Sequence, residues 1–169
     1  MALKTHGLNY LIRRVETIVR AGMVAEVASV NAEQSEVVVV ASAQRDVGAS
    51  MGRVPVQGRS AVEFTARRLK PRRGFKTQKS AFMLTVKSSV LQSSRTASNT
   101  TDTLQSAAMQ HAAALNDAVR TIVMGSISGD GIIYNVELEA EDFSDPEGDP
   151  VRYAVTSKFK VWMRTHDAR

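Results

Sequence analysis

Residues 132–164 read IIYNVELEAEDFSDPEGDPVRYAVTSKFKVWMR, and the reading of this stretch decides the fold. In its first part Ile132, Tyr134, Val136, Leu138 and Ala140 alternate with Asn135, Glu137 and Glu139. In its second part Val151, Tyr153, Val155, Phe159, Val161 and Met163 share one face, with Ser157 as its one small polar member. Arg152, Lys158, Lys160 and Arg164 line the opposite face. A period of two sends successive side chains to opposite faces of a strand, so both parts predict strands with one buried face. Between them, Ser144 to Pro150 is turn chemistry throughout, which joins the strands as an antiparallel hairpin. In such a hairpin Glu137 and Glu139 share a face with some of Arg152, Lys158 and Lys160.

A hairpin with one apolar face needs a second layer, and the rest of the chain supplies candidates for it. Leu8, Leu11, Ile12, Val15, Ile18 and Val19 recur at three- and four-residue spacing, which predicts an amphipathic helix over 8–21 with Gly22 as its stop. Residues 23–30 and 36–42 then read as two strands around a polar turn at 31–35, the second carrying four consecutive valines. The alternative is a first helix that continues to about residue 30, because Ala, Met and Glu there are good helix formers. Val62, Phe64 and Ala66, and then Phe82, Leu84 and Val86, alternate within 61–69 and 81–90 and predict a second antiparallel pair. Thr101 or Asp102 is placed to cap a long helix running to about Met124, with Gln105 available for a capping box. Leu104, Ala108, His111, Leu115, Val119 and Ile122 trace its buried stripe, and the glycines at 125, 129 and 131 end it.

The expected fold is therefore α+β, a single mostly antiparallel sheet packed against two helices in the order α-β-β-β-β-α-β-β. A chain of 169 residues is the size of one domain, here with long loops at about 43–60 and 70–80. There is no cysteine, which rules out disulfides and thiolate metal sites. The N-terminal residues lack the apolar run of a signal peptide, and no stretch is apolar for long enough to span a bilayer, so no membrane partner is expected.

Charge is distributed in blocks. Residues 45–95 carry twelve Arg or Lys against two acids, while residues 130–149 carry eight acids and no base. The basic segment Arg67, Arg68, Lys70, Arg72, Arg73, Lys76 and Lys79 reads first as a solvated loop. It also suits an acidic protein surface, such as a sister subunit, or a polyanion held by counterion release. Glu137, Glu139, Glu141, Asp142, Asp145, Glu147 and Asp149 form the complementary acidic surface. Asp142, Asp145, Glu147 and Asp149 supply oxygen ligands of the kind a hard cation takes, but their spacing lacks the calcium-loop pattern. An ordinary hairpin turn is the simpler reading, and no metal or cofactor is assigned. The glycine-rich 125–131 follows a helix and lacks the Gly-Lys-Ser/Thr ending of a phosphate loop. The serines show no nucleophile elbow and the three histidines are scattered, so no catalytic residue is assigned and an enzyme is not expected.

The N-terminal amphipathic helix at 6–22, a sheet region, the long helix at 102–124 and the closing stretch from Gly131 to Arg164 together resemble small neck and tail-completion proteins of tailed bacteriophages. The nearest likeness is to tail terminators. That resemblance implies a structural virion protein, assembled in the host cytoplasm and residing in the tail or neck. Such a subunit forms a homo-oligomeric ring, typically a hexamer, that stops tail-tube growth. Its partners are the tail tube protein and a head-side connector or head-completion protein, with DNA passing through the lumen without sequence-specific binding. The alternative is a small basic nucleic-acid-binding protein.

Overall fold

The computed structural model describes residues 7–33, 52–56, 60–70, 79–91, 101–148 and 151–164. In chain order they form α1 (Leu8–Glu33), β1 (Arg53–Val56), β2 (Ser60–Arg68), β3 (Lys79–Leu91), α2 (Thr101–Ser126), β4 (Ile133–Glu147) and β5 (Arg152–Arg164). The strands make one antiparallel sheet in the order β1-β2-β3-β5-β4, so the C-terminal hairpin enters with β5 beside β3 and leaves β4 on the edge. Both helices lie on one face. α1 packs over β2, α2 packs over β3 and β5, and the two helices pack on each other. The α+β class, the antiparallel sheet and its pairing with two helices are as the sequence predicts.

Alternation builds the core directly. Phe82, Leu84 and Val86 of β3 and Val155, Phe159, Val161 and Met163 of β5 are all buried on the helix side. Leu11, Val15, Val19 and Met23 of α1 meet Leu115, Val119, Ile122 and Val123 of α2 in the same cluster. Arg14 extends from α1 to the C-terminal end of α2, donating to the carbonyls of Ser126 at 2.9 Å and Ile127 at 3.4 Å. These carbonyls lie at the negative end of the helix dipole, where a cation is favourable.

Four expectations are corrected. Gly22 does not stop α1, and residues 23–30 are helical rather than a strand, as the alternative of a continued first helix expects. Met23 is fully buried, and a β-carbon on Gly22 would lie 3.1 Å from Ile122 Cγ1, so the glycine serves a close approach of the two helices. The expected strand at 36–42 lies outside the described residues. Within the expected loop at 43–60, Arg53–Val56 forms β1, entered through Gly52 at φ 86°. A side chain at that position would meet the Phe64 carbonyl oxygen at 2.9 Å, besides requiring the left-handed conformation that glycine tolerates.

The helix expected to end near Met124 runs to Ser126 and passes into a 3-10 turn, Ile127–Asp130, before Gly131 turns the chain at φ 73°. Thr101 and Asp102 already lie within α2, and their side chains are outside the described set. Finally, β4 continues through Asp145, Pro146 and Glu147, where the sequence predicts a turn. It pairs with β5 through three register shifts, at 133/135, 138/140 and 144/147. Each shift inserts an unpaired residue and resets which face the following side chains occupy. The simple stripe from Ile132 to Ala140 is therefore broken: Ile133, Val136 and Leu138 pair with helix-side residues of β5, whereas Ala140 pairs with Lys158 on the other face.

Candidate interaction surfaces

Strand register places the basic end of β2 and the acidic tip of the β4–β5 hairpin at opposite ends of the sheet, while Glu137, in one row with Lys160, Met83 and Arg67, lies at the basic end. Arg67 and Arg68 close β2 opposite Met83 and Phe82, and Phe82 in turn pairs with Val161 of β5. Glu147 closes β4 opposite Arg152, at the other end of β5. At about 3.3 Å per residue, Val161 and Arg152 are separated by about 30 Å. Several Debye lengths of about 8 Å intervene at physiological salt, so the basic β2–β3 end and the acidic β4–β5 end cannot neutralise one another within one chain.

At the basic end Arg67, Arg68 and Lys70 are exposed. Arg68 donates to Ser80 Oγ at 2.6 Å, which anchors its side chain at the helix side of the sheet. The side chain of Lys79 and all of Arg72, Arg73 and Lys76 lie outside the described residues. At the acidic end Asp145 and Glu147 are exposed, while Asp149 lies outside the described residues. Glu137, Glu139 and Asp142 are exposed along β4. Glu137 pairs with Lys160 and shares the face opposite the helices with it, as the hairpin reading expects. Glu139 falls in the bulge between Leu138 and Ala140 and has no cross-strand partner. Among the described residues, no group of three or more His, Asp or Glu side chains is placed to hold a metal ion.

Glu141 differs from the other acids of the surface to which it was assigned. The bulge before it turns its side chain toward α2, where Oε1 accepts from Asn116 Nδ2 at 2.7 Å and Oε2 accepts from Arg120 at 2.8 Å. Asn116 is fully buried, and its Oδ1 accepts from Ser157 Oγ at 3.0 Å. This chain of bonds ties edge strand β4 to α2 across the buried face of β5. Arg120 also contacts Asp117 at 2.9 Å. Burial pushes the Asp117 carboxyl up, Arg120 pulls it down, and the neighbouring Glu141 pushes it up again. One turn earlier on α2, burial holds the His111 ring at about 4, so at neutral pH it is an uncharged, half-buried side chain.

The chain matches no protein-family model and no curated protein. Its surfaces must therefore be read from their own chemistry. The clearest unpartnered apolar feature is on β4, where Leu138 and Phe143 pair with helix-side residues of β5 yet remain 38% and 58% exposed. Two helices cover β2, β3 and β5, and edge strand β4 extends past them. Tyr134 of β4 and Met124 of α2 are also large and exposed. Sequence reasoning missed Asn116, although a polar residue beside the buried stripe of α2 and a lone serine in the buried stripe of β5 were a legible pair. It missed the exposure of Leu138 and Phe143 because bulges, which set their surroundings, leave little trace in composition.

Proposed function

We propose that this protein is a non-enzymatic assembly subunit that joins copies of itself head to tail into a closed ring, of the kind that terminates a phage tail tube and joins it to the head-side connector. The observation that supports this reading is the placement of basic Arg67, Arg68 and Lys70 and of acidic Asp145 and Glu147 at opposite ends of one sheet. Two complementary patches in different places on the same subunit make a heterologous contact, and a heterologous contact closes into a ring when its rotation allows. A two-fold contact that paired either end with itself would instead bring like charge against like charge.

The edge strand adds apolar area to the same contact. Leu138 and Phe143 lie beside Glu137, Glu139 and Asp142, so a neighbour that covers β4 buries two large side chains within a charged rim, as protein interfaces commonly do. Burying such side chains is favourable by about 1.5–3 kcal/mol each, whereas an exposed ion pair contributes at most about 1 kcal/mol. In this arrangement the apolar residues provide the affinity and the charges select the orientation. Hexameric closure and attachment to a tail tube follow from the likeness to tail terminators.

Native mass measured across protein concentration and at two salt levels, with nucleic acid removed, tests the reading. A discrete ring-sized oligomer that loosens as salt rises is the expected result. A monomer throughout, both alone and in the presence of tail tubes, contradicts it.

A further inference from the structure

The sheet face turned away from the helices carries a second, separate pattern. Arg67 of β2, Lys87 of β3 and Lys158, Lys160 and Arg164 of β5 all occupy this face by register. Among the described residues, Arg67, Lys87, Lys158 and Arg164 form no ion pair, and Lys160 lies beside its own strand neighbour, Nζ 4.9 Å from the centre of the Trp162 ring. Ala81, Met83, Thr65, Thr85 and Thr156 lie between them, and three acids share the face by register, Glu63 opposite Lys87, Glu137 opposite Lys160 and Asp142 opposite Thr156, which leaves the five bases in excess. No described element covers this face. Lys158, Lys160 and Arg164 run along about 20 Å of β5, and β2 lies about 10 Å to the side, which makes a flat cationic field rather than a pocket.

We propose that this face binds the phosphodiester backbone of nucleic acid without reading its sequence. An excess of cations spread over three strands suits a polyanion, whose repeated charges meet them and release counterions in doing so. Trp162 offers an aromatic surface to a base where the strand is single. A second protein is the poorer match. Lysine is depleted in protein interfaces, and the exposed large apolar side chains Leu138 and Phe143 sit on β4 rather than on this face. The inference stands on the sheet face alone and does not require the ring.

Trp162 is the sole tryptophan of the chain, so its emission reports on this face directly. The experiment titrates the full-length protein with a duplex and with a single-stranded oligonucleotide of mixed sequence, following Trp162 emission and oligonucleotide anisotropy together. Five cations, each on one phosphate, give log affinity against log salt a slope of about −4.5 for duplex and about −3.5 for single strand, a loss of about a hundredfold or more between 50 and 200 mM salt. The combined variant Lys158→Gln, Lys160→Gln, Arg164→Gln should lose about three-fifths of that slope and at least about tenfold in affinity. A comparison variant at the hairpin end (Lys70→Gln, Arg72→Gln, Arg73→Gln) should keep the Trp162 response. A larger emission change with the single strand would place a base against the indole, and an equal change would assign the contact to phosphates alone; both support the inference. It is overturned if neither oligonucleotide binds at 50 mM salt, if binding leaves Trp162 emission unmoved, or if the hairpin-end variant abolishes binding while the β5 variant does not. It is equally overturned if the β5 variant changes only the native mass, which would make this face a contact between copies.

Discussion

β4 and β5 are neighbours in one hairpin, and they treat their apolar residues in opposite ways. In β5 every second residue from Tyr153 to Met163 is buried, Ser157 included. In β4, which is two residues longer, Ile133 is the only buried side chain, and Leu138 and Phe143 stand in solvent. The sequence patterns are similar, but the positions differ: β5 is flanked on both sides and roofed by α2, while β4 is an edge whose three bulges keep breaking its alternation. Apolar character in β5 stabilises the fold. In β4 the same character is left exposed to solvent, and the bulges are of the kind that blunt indiscriminate edge pairing.

Breaking the comparison at its strongest point should give the largest effect. Phe159→Ala empties a fully buried site and should destabilise the protein by about 3–5 kcal/mol in urea denaturation. Phe143→Ala should change folding stability by less than about 1 kcal/mol while weakening self-association. Equal losses of stability from the two would mean that β4 belongs to the core after all. The two strands are also linked, through Asn116. Asn116→Ala strands Ser157 Oγ and one oxygen of Glu141, and should cost about 2–3 kcal/mol. A double-mutant cycle with Glu141→Gln would show coupling if the chain of bonds acts as a unit, and strict additivity would refute it.

A smaller effect should come from pH. The folded ring of His111, at about 4, lies below its ordinary 6.5, so the folded state binds fewer protons than the unfolded chain between those values. Its contribution is complete above pH 6.5 and is lost as pH falls toward 4, by about 1 kcal/mol once solvent screening of the half-exposed ring is allowed for. The difference in denaturation midpoint between pH 7 and pH 4.5 should shrink in His111→Leu; an unchanged difference would remove His111 from the account. The smallest effect is a gain. Ser88 Oγ is buried opposite Val62 and Val155 without a hydrogen-bond partner. Ser88→Ala should stabilise the core by about 1 kcal/mol, and destabilisation would mean that the hydroxyl packs usefully.

The same contrast explains what was legible from sequence. Strands flanked on both sides, such as β3 and β5, announce themselves because burial on one face enforces strict alternation. The boundaries of α1 and β4 were harder, since each is decided by a contact distant in sequence. Gly22 looks like a stop until Ile122 is seen against it, and Asp145-Pro146-Glu147 looks like a turn until the bulge lets it follow β5. The charge blocks were legible as composition. The placement of Arg67, Arg68 and Lys70 and of Asp145 and Glu147 at opposite ends of one sheet was not, because it depends on β5 entering beside β3. The engagement of Glu141 depends on a single bulged residue before it.

Head-to-tail pairing of the two sheet ends is the central claim, and a charge exchange tests it most directly. One variant carries Asp145→Lys and Glu147→Lys, the other Lys70→Glu, Arg72→Glu and Arg73→Glu, and native mass is measured for each alone and for an equal mixture. The account predicts that neither variant forms the wild-type oligomer alone, whereas the mixture restores one containing an even number of alternating subunits. Wild-type oligomers from either variant by itself, or a mixture that stays dissociated while the wild type assembles, would contradict it.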